Sequence, residues 1–210
     1  MKKGVQKRTP ESYRRRSYRS LASEEQLVAT FFRLQETDLH ILAAEDVTVE
    51  AGELATRYRL QIENYLIGHP EFGTSLTPLE DDALAPPVVG RMLEAAKEAG
   101  VGPMAAVAGG IAECVGRGLL EAGHKEIIVE NGGDIFLSRS IELTVSVFAG
   151  QSPLSNRLGL TIAAEQMPMG ICTSSGTVGL SLSFGLADSV TVLADSAFLA
   201  DAAATRLGNE

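Results

Sequence analysis

The sequence predicts an α+β fold, with one or more largely antiparallel sheets and packed helices in two closely associated lobes, and three observations carry that expectation. Strand-like runs are grouped before and after a block of consecutive helical segments, instead of alternating with them as a parallel sheet with crossover helices requires. The links between neighbouring strand-like runs are short enough for hairpins. The 210 residues are 45% hydrophobic but include 21 Gly, no Trp and only 5% aromatics, so a core of Ala, Val, Leu and Ile must let backbones approach closely.

In chain order, a basic N-terminal arm over residues 1–20 precedes a single domain over 21–210. Residues 1–19 hold eight of the 18 Lys+Arg and one of the 27 Asp+Glu. The remainder is strongly acidic, which argues against a nucleic-acid surface and leaves the arm as a solvated tail or a contact for an acidic face. No apolar segment follows the basic start as in a secretory signal, and no apolar run reaches the roughly 20 residues of a membrane span. A cytoplasmic protein is the expectation.

Val28–Leu34 and residues 39–44 read as strands joined by the turn at 35–38. Residues 47–67 read as a helix, because Ala51, Leu54, Ala55, Tyr58, Ile62 and Tyr65 recur at steps of three and four with charges on the other side. The turn-rich stretch 68–87 reads as a surface crossover and lobe boundary. A second helix runs from Pro87 to Ala99 and stops at Gly100. Gly102-Pro103 then opens a third that continues to about 122. The first half of that helix is nearly bare, with Ala105, Ala106, Ala108, Gly109, Gly110 and Ala112. Interior glycines cost about 1 kcal/mol each relative to Ala, so the stretch must either pack tightly or offer its N-terminal amides to an anion such as phosphate. Strands are expected at 126–129, 135–137, 142–148, 158–163, 170–173 and 189–193, and a closing helix at 196–207.

Chemistry concentrates in three places. Val129-Glu130-Asn131-Gly132-Gly133-Asp134 ends an apolar strand at a glycine pair and delivers a carboxylate; it suits a tight hairpin turn, and equally a backbone surface that a phosphate or flat ring approaches. Thr173-Ser174-Ser175-Gly176 is a hydroxyl-rich loop after a strand, either a phosphate cradle or an ordinary Ser/Thr-stabilised turn. Asp201 and Thr205, four residues apart on one helix face, suit a hard cation such as Mg²⁺ or, without metal, a first-turn acid beside a back-bonded hydroxyl. Cys114 and Cys172 are isolated, so buried thiols are expected, and His40, His69 and His124 fall in no ligand or triad pattern.

The order of these pieces resembles the ApbE family of FAD:protein FMN transferases over roughly residues 100–209. The likeness is carried by Ala108-Gly109-Gly110-Ile111-Ala112-Glu113, Asn131-Gly132-Gly133-Asp134, Thr173-Ser174-Ser175-Gly176 and Ala200-Asp201-Ala202-Ala203-Ala204-Thr205. Tyr13-Arg14, Glu36-Thr37-Asp38-Leu39, His69-Pro70-Glu71-Phe72 and Val101-Gly102-Pro103-Met104 extend it along nearly the whole chain to a shorter, functionally uncharacterised bacterial and archaeal branch of that superfamily. The resemblance implies FAD or FMN in a cleft between lobes, with Mg²⁺ near the pyrophosphate. Asp201 and Thr205 match metal positions, joined by a main-chain carbonyl near Ala112. Gly132, Gly133 and Asp134 match the flavin-side turn, with Asp134 the catalytic candidate, and Gly109, Gly110, Asn131, Ser174, Ser175 and Gly176 join the cofactor-binding set. The implied reaction is attack of a target hydroxyl on a phosphoryl group with AMP leaving. Two departures stand out: Glu113 replaces the Lys of GGIAKG, a reversed charge expected to face and repel the phosphates, and residues 179–187 have no His-x-x-Asp-Pro-x-x-Gly-x-Pro segment. The reading is therefore Mg²⁺-dependent FMN or phosphoryl transfer from a flavin or other phosphate-bearing small molecule; the alternative is a flavin or nucleotide-binding protein without turnover. A third reading makes the glycine-rich surfaces an oligomer interface, as in a homodimer with the arm as strap, and the sequence leaves dimer and monomer both open.

Overall fold

A computed structural model describes residues 27–178 and 183–210; the basic arm and the Tyr13-Arg14 motif lie outside the described residues. The first alternating run forms β1 (Val28–Leu34), which turns at Gln35 into β2 (Thr37–Ala43) in antiparallel register from Val28↔Ala43 to Leu34↔Thr37. Helix α1 (Thr48–Gly68) buries Ala51, Ala55 and Ile62, one stripe of the expected periodicity. The crossover that follows contains a short helix, α2 (Pro70–Thr74), with Phe72 buried. Helix α3 (Pro87–Ala99) begins on a proline and ends at Gly100, whose φ of 72° suits the left-handed cap that glycine adopts without penalty.

The third helix differs from expectation at its start. Pro103–Ala106 is a single 3₁₀ turn, and α4 proper runs over Val107–Glu121. Its bare first half is explained by packing against the closing helix, α5 (Ala197–Gly208). A Cβ on Gly109 would stand 2.3 Å from the Ala197 carbonyl oxygen, and one on Gly110 would stand 2.5 Å from the Phe198 ring.

Between α4 and α5 lie β3 (Ile127–Asn131), β4 (Asp134–Ser138), β5 (Leu143–Ser146), β6 (Gly159–Ile162), β7 (Met169–Ser174) and β8 (Val190–Ala194). Six strands form one sheet in the order β1-β2-β3-β4-β7-β8, every pairing antiparallel, while β5 and β6 pair only with each other. Strand alternation sends Val129, Phe136 and Cys172 to the face covered by the helices. It sends Leu137 and Ile171 to the opposite face, where Leu143 and Ile162 of the small sheet complete a second apolar cluster. The two lobes are thus a helical layer and a small β layer on opposite faces of one sheet. Within residues 68–87, Phe72 buries into the same cluster as Val88 of α3. Among the described residues no single helix is long and apolar enough to cross a membrane.

Candidate functional site

The glycine pair serves as a turn and as a wall. Asn131 pairs with Asp134 across a two-residue connection whose Gly132 and Gly133 have φ of 72° and 113°, both positive, as the tightest hairpin turns require. The Gly133 N–H donates to Glu130 Oε1 at 2.9 Å. Gly132, Gly133 and Asp134 then line a hollow of about 150 Å³, shared with Ser174 and Ser175. Asp134 is buried, with its Oδ1 accepting the Thr173 N–H at 3.2 Å. Asn131 is elsewhere: its Nδ2 donates to the Ala108 carbonyl at 3.0 Å, tying the end of β3 to the first turn of α4.

Asp201, in the second turn of α5, reaches the same place from the helical side, and its Oδ2 accepts the Gly109 N–H at 2.9 Å. A second, larger hollow of about 510 Å³ opens beyond it, walled by residues 73–76, 100–102, 104–105 and 107–108 and by Phe184. Asp134, Asp201 and Thr205 line both hollows, so the two spaces meet at these three side chains.

The electrostatics there are unbalanced. Burial pushes the Asp134 carboxyl up to about 7, against the Thr173 N–H and the Cys172 thiol and with the help of Glu130. Burial, and then the charge of Asp134, push Asp201 well above the ordinary carboxylate range, although the Gly109 and Ala108 N–H groups oppose the shift. Among the described residues, the smaller hollow has no Lys, Arg or His in its lining, and the larger has only Arg206, which pairs with Glu210 at 3.2 Å.

That donor set fits a hard cation. No group of three or more His, Cys, Asp and Glu is poised as a metal cage among the described residues, and Mg²⁺ is ordinarily held by one or two carboxylates together with substrate phosphates rather than by an all-protein cage. Two carboxylates and the Thr205 hydroxyl suit that mode. Ala112 is fully enclosed in α4 and lines neither hollow; from that stretch it is Ala108 that reaches the larger one.

Of the other candidate site residues singled out from the sequence, Ser174 and Ser175 line the smaller hollow and the rest fall outside both. Gly109 and Gly110 face α5, and Gly109 contributes its N–H to Asp201. Gly176 donates its N–H to the Ala187 carbonyl at 2.8 Å. The Ser175 hydroxyl, at the edge of the smaller hollow, accepts the N–H groups of Thr177 and Val178, the local turn that such hydroxyls make. Glu113 corrects an expectation. It is fully buried, lines neither hollow, and pairs with Arg91 at 2.7 Å and Arg117 at 2.6 Å while accepting the Ala197 N–H. Its reversed charge is neutralised inside the helical layer and does not face the hollows.

A family model described as AbpE bacteria matches residues 19–210. The chain belongs to that family. Relatives of this AbpE-family chain include a UPF0280 protein of Methanosarcina acetivorans, 45% identical over 85% of this chain and 71% of its own length. Another, from Methanococcus maripaludis, is 52% identical over 72% of this chain and 62% of its own length, so the match leaves more than a third of that relative uncovered. Among solved structures, the apo flavinyl transferase ApbE of Pseudomonas stutzeri is similar in fold, with a TM-score of 0.50, 12% identity and coverage of 89% of this chain and 84% of that one.

The lining also holds residues to which sequence reading assigned no role, among them Glu130, Phe148 and Phe184. Glu130 stands three positions before Gly133, a spacing at which a side-chain acceptor reaches a turn amide, and that was its one local signal. Nothing local marks either phenylalanine.

Proposed function

We propose that this AbpE-family protein binds a flavin nucleotide, FAD or FMN, together with Mg²⁺, and transfers the FMN moiety of FAD to an acceptor hydroxyl. The observation that carries the reading is the meeting of two hollows at Asp134, Asp201 and Thr205: a dinucleotide has two rings for two spaces and a pyrophosphate for the junction. The fold shared with a flavinyl transferase supports it. Asp201 and Thr205 would hold the cation, with Asp134 beside them. When bound, the cation supplies positive charge that offsets the phosphate oxygens and the charge that builds on them during transfer.

In the transfer, the acceptor oxygen forms a bond to the flavin-side phosphorus as the bond to the bridging oxygen breaks, and AMP departs. Asp134 takes the hydroxyl proton. With its carboxyl near 7, it is a stronger base than an ordinary carboxylate and still ionised in part at neutral pH. The buried position keeps bulk water from competing.

The alternative, binding without turnover, is favoured by one observation: among the described residues the smaller hollow has no cationic side chain in its lining. One titration addresses both. FAD fluorescence is followed with and without Mg²⁺, and AMP is assayed after adding protein and small-molecule hydroxyl acceptors. Saturable, Mg²⁺-dependent binding with AMP release supports transfer; binding without AMP selects the alternative; no binding removes the flavin reading. Asp201→Asn is expected to weaken the Mg²⁺-dependent component by about 10–100-fold without loss of folding, since Asn keeps an oxygen for the Gly109 N–H.

A further inference from the structure

Residues 183–187 are anchored by unusually close backbone approach. A Cβ on Gly176 would stand 2.1 Å from the Gly185 carbonyl oxygen, and one on Gly185 would stand 1.6 Å from the Gly208 carbonyl oxygen. Three stretches of backbone are therefore stacked with no side chain between them: the loop after β7, the segment at 183–187, and the last turn of α5. Polar contacts lock the stack. Asn209 Oδ1 accepts the Phe184 N–H at 2.7 Å and the Ser183 hydroxyl at 3.2 Å, and the Gly176 N–H reaches the Ala187 carbonyl.

What this scaffold presents is Phe184, which lines the larger hollow yet remains 61% exposed. A single exposed phenylalanine on a free surface needs no explanation. Here the residue sits in a cavity wall of glycine, hydroxyl and aliphatic residues together with Asp134, Asp201, Arg206 and Asn209, its backbone is fixed by the Asn209 bond, and among the described residues it is the sole aromatic in that lining. The hollow, at about 510 Å³, falls in the size range of small-molecule sites. A pre-ordered ring binds a planar partner without first losing loop freedom, and stacking on an aromatic side chain tolerates any flat heterocycle.

We propose that Phe184 is the stacking platform for a planar ring of the nucleotide in the larger hollow. The inference rests on the flavin-nucleotide reading and adds a binding residue to it. It is tested on the full chain by titrating FAD in the presence of Mg²⁺. Phe184→Ala is expected to raise Kd about tenfold with an unchanged melting transition, because the side chain is exposed. Phe184→Trp is expected to keep the affinity. The chain contains no Trp, so this variant also provides a single indole whose emission falls when FAD stacks on it; titration with FMN and AMP separately shows which ring takes the larger hollow. Equal Kd for wild type and Phe184→Ala, or an indole silent at saturating FAD, overturns the platform alone. Failure of the wild type to take up FAD overturns the flavin reading, and the platform with it.

Discussion

Helices α4 and α5 cap one another with acids, and the two caps end in opposite electrostatic states. Glu113 of α4 takes the Ala197 N–H at the start of α5, while Asp201 of α5 takes the Gly109 N–H near the start of α4. In each case a carboxylate satisfies an amide that has no partner within its own helix, in the favourable field of a helix N-terminus. Around Glu113 stand two guanidiniums, Arg91 and Arg117, which lie over Phe198 and Phe136 respectively. Around Asp201 stands another buried carboxyl, Asp134. The same local device is thus neutralised at one site and left in excess at the other. The first is architecture; the second leaves two buried carboxyls without a cationic partner among the described residues where two hollows meet, so they hold protons that a bound cation would displace.

The most forceful way to break this comparison is Glu113→Ala. It strands two arginines against aromatic rings and uncovers the Ala197 N–H, and removing one partner of a buried ion pair costs about 3–5 kcal/mol. Urea unfolding should show that loss, with bound ligand irrelevant to it. A loss below about 1 kcal/mol would mean that the arginines rehydrate freely and that Glu113 is no keystone.

The pH dependence of stability separates the two sites by sign. Burial alone would raise the Glu113 carboxyl, but the Arg91 and Arg117 guanidiniums hold it below its ordinary value of 4.5. Its contribution is present above 4.5 and fades as pH falls through the lower folded value. Asp134 runs the other way. Its folded carboxyl lies near 7 against an ordinary 3.8, so the folded protein holds a proton that the unfolded chain gives up. That stabilisation is full below about 3.8 and is lost as pH climbs to about 7, a decline of roughly 2–4 kcal/mol in metal-free protein. Denaturant melts from pH 4 to 8 in EDTA should show the decline, and Asp134→Asn should make it shallower, leaving the part that burial of Asp201 contributes. If added Mg²⁺ leaves the slope unchanged, the acids at the junction do not meet the cation.

These contrasts also mark what was legible beforehand. The stripe of α1, the turn demanded by Gly132-Gly133 and the shared face of Asp201 and Thr205 depend on spacing within one element, and local spacing is what a sequence displays. The bareness of Gly109 and Gly110 was visible, but its reason was not, because Phe198 and Ala197 arrive from the far end of the chain. Glu113 misled for a related cause: the i,i+4 spacing to Arg117 was visible in the sequence, but its other partner, Arg91, sits on a different helix, and nothing local shows that the acid is buried between them. The 3₁₀ turn over Pro103–Ala106 replaced the expected helix start. Gly102 is pressed there against the Ser75 carbonyl oxygen, where an added Cβ would lie at 1.9 Å, another contact between segments distant in sequence.

The smallest expected effect sharpens the comparison at its hinge. Asn131 belongs to the turn motif, yet its amide donates to the Ala108 carbonyl and so holds the first turn of α4 in front of Asp201. Its Oδ1 also accepts the Asp38 N–H, at 3.4 Å. Asn131→Ala removes one good hydrogen bond and one long one from a buried position, a loss of about 1 kcal/mol, or a melting temperature lower by about 2–4 °C in a chain of this size. The informative quantity is how that loss divides. If Asn131 aligns the Gly109 N–H on Asp201, Mg²⁺-dependent ligand affinity should fall a few-fold, because the released turn no longer fixes the acid. The acid-side pH dependence belonging to Glu113 should stay unchanged, since that carboxylate is held from α3 and α4 by charges that Asn131 does not touch. A lowered melting temperature with intact affinity would instead make Asn131 a fastener of the sheet to α4, and the position of Asp201 would then depend on α5 packing alone.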